Sequence, residues 1–284
     1  MKLFESIISS VSHAMGPFSV NRVMPQQEIT PVGTFVFLDH FDISATPEQL
    51  PKPDGKLAHP HRGIATLTYL LKGEVTHLDS YGHKGTVDSG GVQWMNAGNG
   101  IVHDEWAKPI DNKLIGLQFW LNLNAKGKAE IPEYKAVSSE QLPLVNIGKM
   151  GSTLKVIIGK YENNSSDIPV ESRQLLFNLS LKSGDEIQLP LNGSDQYAAF
   201  LASGLIEADG ETLNLLQQGF LKKGVKKISI IAKENSELFV FGGEKYQEPI
   251  VSGGPFVMNS EQEVAIAYKD YQLGKYRTID YRTI

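Results

Sequence analysis

Residues 59–63 read HPHRG and residues 103–105 read HDE. His59 and His61 are two positions apart, as are His103 and Glu105. On a β-strand such pairs project from one face, with Cα atoms about 6.6 Å apart. Pro60 has no backbone donor, which suits a strand edge or start better than a central position. If the intervening turns lay these two segments side by side, three neutral imidazoles and one carboxylate converge. That donor set suits Fe(II), with Mn, Co, Ni, Cu or Zn as other occupants. Four protein ligands leave one or two positions of a six-coordinate ion open to water, O2 or a bidentate substrate, which is what metal-assisted chemistry needs.

The elements that must position these groups are short strands. LTYLLKGEVTHLDSYGHKG reads as a strand, a turn at Gly73 and a second strand reaching another turn at Gly82–Gly85. DSGGVQWMNAGNGIVHDEW adds a glycine-rich corner, a strand through Gln93–Met95 and a tight NAGNG turn leading to His103. Turns rich in Gly and Asn let a small β-sandwich double back repeatedly. Further β-type runs are GTFVFLDHF, LIGLQFWLNL, TLKVIIGKY, LLFNLSLKSG, QYAAFLASG, KISIIAK and ELFVFGG. Their spacing is that of antiparallel sandwiches or barrels.

Helical periodicity is confined to the ends. The N-terminal MKLFESIISSVSHAMGPFSV resembles a short amphipathic helix more than a secretory signal. Near the C-terminus Ser260 is the N-cap of a helix, with Glu263 completing a capping box and an end near Gly274. The polar, lysine-bearing stretch 124–146, with Pro132 and Pro143, reads as a linker. The expected architecture is all-β: two β-sandwich domains, near 1–140 and 141–284. All seven histidines, at 13, 40, 59, 61, 77, 83 and 103, lie in the first half, so a transition-metal site belongs there. The tail, which repeats YRTI at 276–279 and 281–284, reads as a flexible end.

The totals exclude several classes. There is no cysteine, which removes disulfides, thiolate ligands and cysteine nucleophiles together. A net charge of −5 gives no electrostatic grip on a phosphate backbone, so direct nucleic-acid binding is not expected. No apolar run approaches the roughly 18 residues needed to span a bilayer. A soluble intracellular protein, cytoplasmic or, in a eukaryote, also nuclear, is the expectation.

HPHRG, TYLLKGEVTHLDSYGHKG, GGVQWMNAGNGIVHDE, PVGTFVFLDHF and GGPFVMNSEQEV together resemble the pirin family of bicupins, in the family's order from about residue 31 to 274. The resemblance implies two tandem cupin (jelly-roll β-sandwich) domains, with iron in the N-terminal one and His59, His61, His103 and Glu105 as its ligands. One departure from the general cupin pattern is clear. A glutamate separated from the second histidine by three or four residues is replaced here by Ala65 and Thr66.

Two functions follow from the resemblance. One is a metal-dependent dioxygenase of the quercetinase type, opening a flavonol or similar enol with O2; Glu105 would be ligand and, on loosening, proton acceptor. The other is a metal-dependent regulatory protein that binds a transcription factor or a metabolic enzyme. Elsewhere the residues read as structural. His77 and His83 belong to a strand end and turn, His40 to the structural frame and His13 to the surface. Trp94, Trp106 and Trp120 are core residues, Arg62 makes a structural ion pair, and LKKGVKK at 221–227 is a solvated hairpin tip.

Overall fold

Every β-type run named above forms a strand, among them Phe35–Ser44, Ile64–Lys72, Lys113–Asn122, Gln174–Leu181 and Ser236–Gly243. The structure, a computed structural model, describes residues 2–15, 18–28, 30–50 and 53–283. It is an all-β protein of two cupin units, as expected. The units are not simple halves of the chain. The first comprises Met1–Met15, Asn21–Asp39 and Leu142–Tyr246; the second comprises Gly16–Val20, His40–Gln141 and Gln247–Ile284. The internal division at 141/142 falls within the polar stretch 124–146, but each unit also takes a segment from the other half.

In the first unit a seven-stranded antiparallel sheet runs in the order Phe4–Ser9, Gln217–Leu221, Gln196–Ser203, Ser236–Gly243, Gln174–Leu181, Thr153–Ile158, Leu144–Asn146. Its partner sheet contains Glu186–Pro190, Lys227–Ala232, Ile206–Ala208 and Glu211–Leu213. The alternation of each strand turns one face inward. Between the sheets Phe177, Leu179, Leu189, Leu201, Ile230 and Val240 form one apolar core. Among the described residues of this unit, no group of three or more His, Asp or Glu is placed to hold an ion.

The second unit has a larger sheet that includes, in order, Glu133–Val137, Val92–Asn96, Ile64–Lys72, Lys113–Asn122 and the His40–Ser44 part of Phe35–Ser44. A four-stranded sheet runs His59–His61, Ile101–Lys108, Glu74–Asp79, Lys84–Asp88. Its apolar clusters sit towards the ends, around Leu70, Val75 and Leu114, and around Ile64, Met95 and Ile101.

Four local expectations are corrected. The N-terminus is not helical: Phe4–Ser9 and Val11–Met15 are strands, and Phe4–Ser9 pairs with Gln217–Leu221 from Phe4↔Leu221 to Ser9↔Gln217. The serines and isoleucines of FESIIS are weak helix formers, and an available sheet edge decides the outcome. The presumed linker contains the strand Glu133–Val137, bonded to Val92–Asn96. The helix spans Glu261–Gln272 with Ser260 accepting from the Glu263 amide at 3.3 Å, but the Glu263 carboxylate reaches the amide of Asn259 at 2.8 Å, so the capping box is not reciprocal. The tail is docked: Tyr276 is buried and Arg277 lies 4.1 Å above the Tyr81 ring.

Candidate metal centre

Register brings the two motifs together. His59–His61 pairs antiparallel with Ile101–Lys108, and the facing residues are His103↔His59 and Ile101↔His61. On the other side the same strand pairs with Glu74–Asp79, with His103↔Asp79 and Glu105↔His77. Directly opposed residues share a face. His59, His61, His103, Glu105, His77 and Asp79 therefore all project from one side of the four-stranded sheet. The chain enters this arrangement through Gly63, whose φ is +81° and where a Cβ would sit 2.0 Å from the Val257 carbonyl oxygen. Only glycine allows the turn that separates HPH from the next strand.

One potential ligand atom from each of His59, His61 and His103 lies within 4.8 Å of the others. His61 and His103 are buried and His59 is exposed, so the cluster opens on one side. Glu105, half-buried, falls into a second, overlapping group of the same tightness with His103 and His77. Its Oε1 accepts a hydrogen bond from Gln93 Nε2. Burial, reinforced by the neighbouring His59, pushes His61 down to about 3 even though the Pro255 carbonyl acts in the opposite sense. Burial likewise holds His103 well below the usual imidazole range, with His59, His61 and His77 adding to the effect. Both rings are neutral near pH 7, the form in which imidazole binds metal.

Comparison with known proteins shows the family to which the chain belongs. Residues 17–121 match the Pirin family model and residues 176–277 match the Pirin C-terminal cupin domain. A pirin-like protein of Solanum lycopersicum is 35% identical over 263 residues, covering 90% of this chain and 86% of that protein. The chain belongs to the pirin family. A pirin-like protein of Caulobacter vibrioides is 30% identical over 260 residues, covering 90% of this pirin and 92% of its relative. Among solved structures, a quercetin 2,3-dioxygenase from Acinetobacter baumannii superposes with a TM-score of 0.89 at 28% identity, covering 97% of this chain and 98% of that one.

The histidines of this pirin fit a metal ion. Nδ1 of His59 lies 2.9 Å from the Leu57 carbonyl, and Nδ1 of His61 lies 3.1 Å from the Pro255 carbonyl. A carbonyl only accepts, so the neutral form of each ring carries its proton on Nδ1 and presents the Nε2 lone pair. Carbonyl partners of this kind fix metal-binding tautomers. The Nε2 atoms of His59 and His103 are 3.0 Å apart. His103 Nδ1 is buried without a hydrogen-bond partner. If His103 also keeps its proton on Nδ1, two lone pairs face each other, an arrangement that a cation relieves.

Residues read as structural from the sequence, or passed over in it, take part in the site. His77 lies near its strand's end, as read, but is not exposed: it is buried, its Nε2 lies 2.9 Å from Asp79 Oδ2, and its ring stacks on Tyr134 at 4.1 Å. His83, a third exposed at its side chain, bonds the same Asp79 oxygen at 2.8 Å. The clue was an i, i+2 pair of polar residues, His77 and Asp79, with the spacing of the other two motifs. Tyr134 comes from the presumed linker, and its hydroxyl donates to Gln93 Oε1 at 3.4 Å. Trp120, expected in the core, meets the His61 ring edge-on at 5.1 Å. No local pattern marks Gln93 or Tyr134, since their partners lie on other strands.

Trp106, expected in the core, is only half-buried. Arg62 is structural: its Nη1 donates to Asp270 Oδ2 at 2.9 Å and to the Tyr276 hydroxyl at 3.4 Å. Trp94 is buried, His40 is buried and His13 is exposed. Thr66 opposes Met95 and Trp120 and so shares their face towards the histidines, whereas Ala65 opposes Asn96 and Leu121 and faces away. A carboxylate at position 65 would not reach this site.

Proposed function

We propose that this pirin is a mononuclear metal enzyme of the quercetinase type, with Fe(II) as its metal and a flavonol or similar enol as substrate. The observation that carries this reading is the trio of His59, His61 and His103, neutral where buried and open beside Glu105. These three imidazoles would hold the ion, with Glu105 as the fourth ligand. Bound there, the ion supplies a meeting point for enolate and O2 and lowers the entropic cost of bringing them together.

The chain's own groups do the rest. Glu105 is positioned to take the enol proton when it loosens, and Gln93 orients its carboxylate through the bond to Oε1. Trp120, edge-on to His61, and Tyr134, stacked on His77, lie beside the histidines and would border a planar polyphenol bound there. The likeness to the Acinetobacter baumannii quercetin 2,3-dioxygenase supports the same substrate class. The test is anaerobic addition of flavonol to iron-loaded protein. A red shift of the flavonol absorption is expected, and an unshifted spectrum would overturn direct substrate ligation.

A further inference from the structure

We propose that the C-terminal tail is a positioning strap for His59, acting through the Tyr281 hydroxyl, the Asp104 carboxylate and the Gly55–Ala58 turn. This rests on the reading of His59 as a metal ligand. The two histidines of HPH are supported unequally. His61 is buried and meets a carbonyl at Pro255, beside the hairpin formed by Val251–Gly253 and Phe256–Met258. His59 is exposed, and its backbone contact is the Leu57 carbonyl. The aim of the His59 ring therefore depends on where the preceding turn holds Leu57.

That turn is fixed from outside. The Ala58 amide donates to the Gly55 carbonyl at 3.3 Å, which closes it and presents the Leu57 carbonyl to His59. The Gly55 amide donates to Asp104 Oδ2 at 3.2 Å, and the Tyr281 hydroxyl donates to the same oxygen at 2.9 Å. The Tyr281 ring also covers Gly55, where a Cβ would lie in ordinary contact at 3.5 Å. Asp104 stands between His103 and Glu105 in sequence and points to the opposite face, so the strand that carries two candidate ligands also carries the anchor for the third. Its carboxylate is buried, and an oxygen shared by two donors in such surroundings is a firm attachment.

Tyr281 is separable from the docking of the tail as a whole. Tyr276 is held by its carbonyl, which accepts from Ser80 Oγ at 2.6 Å, and by its hydroxyl, which donates to the Ala267 carbonyl at 2.8 Å. Ile279 and Ala58 pack on the cluster of Val102, Phe256 and Tyr276. Removing one hydroxyl leaves those contacts in place.

Tyr281→Phe tests the strap. Ring-nitrogen NMR of the metal-free wild type should show His59 in one Nδ1–H tautomer. The variant should shift His59 towards an averaged tautomer while His61 keeps its wild-type values. Loaded with Co(II), the variant should release metal to a chelator roughly tenfold faster, the scale of loss of an outer partner. Unchanged His59 nitrogens and cobalt release would overturn the proposal, and so would equal movement at His59 and His61, which means general loosening. Altered His59 nitrogens in a protein whose wild type retains no cobalt would support the strap while sinking the metal reading.

Discussion

His59 and His103 face each other across adjacent antiparallel strands, with their Nε2 atoms 3.0 Å apart. Two imidazoles held that closely would supply half of the proposed set of metal ligands, already in place in the fold. Each expectation below follows from how neighbouring groups hold that pair.

Removing a ring should remove the metal. His61→Ala and His103→Ala should each lower iron or cobalt content of purified protein by at least about tenfold, since loss of a mere supporting partner already costs roughly 10–100-fold in affinity. Elemental analysis against wild type checks this. Unchanged metal in both variants would refute the ligand assignment.

Gln93→Leu keeps the side-chain bulk but loses the donor to Glu105. Metal affinity should fall by about tenfold, with the thermal midpoint of the metal-free protein near the wild-type value. Competitive chelator titration beside calorimetry separates the two effects.

Gly63→Ala should be among the most damaging small changes in the chain. Its methyl would meet the Val257 carbonyl at 2.0 Å in a left-handed backbone, and that oxygen belongs to backbone with little room to move. Strain and overpacking together should cost about 2–5 kcal/mol in urea unfolding.

Arg62→Met should act on stability more than on metal. It removes the bonds to Asp270 and Tyr276, yet Asp270 keeps Lys275 at 2.7 Å and is not left as a lone buried charge. A loss of about 1–3 kcal/mol is expected.

Acid sensitivity should have an identifiable contribution from His40. Burial pushes this imidazole down to about 4, with Asp42 opposing the shift. The unfolded chain takes up the proton near 6.5 and the native state only near 4, so stability falls as pH drops through that window. The total for this group is about 3 kcal/mol. Metal-free His40→Gln should show a correspondingly shallower decline between pH 6.5 and 4 in denaturant titrations, and an unaltered slope would contradict the assignment.

Much of the fold was legible because strand periodicity is local. The alternation in LLFNLSL or IATLTYLL marks a two-faced strand wherever it packs, and both runs are strands in the structure. The N-terminus was misread because FESIISSVSH has no strong preference of its own, and pairing with Gln217–Leu221 decided its conformation. The strand end at His77 was legible in THLDSYGH, but its burial against Tyr134 was not, since the partner lies on another strand.

From the sequence alone came the donor types, the i, i+2 pairs at 59/61 and 103/105, the absence of thiolate chemistry and the succession of strands. These depend on residue identity and on backbone geometry that repeats every two residues. Tertiary structure alone decided that His103 opposes His59, that Glu105 lies beside His77 and Gln93, that the Pro255 carbonyl meets His61, and that the Tyr281 hydroxyl bonds Asp104. Those relations join positions up to about two hundred residues apart, and register and packing between distant segments, which no local pattern encodes, set them.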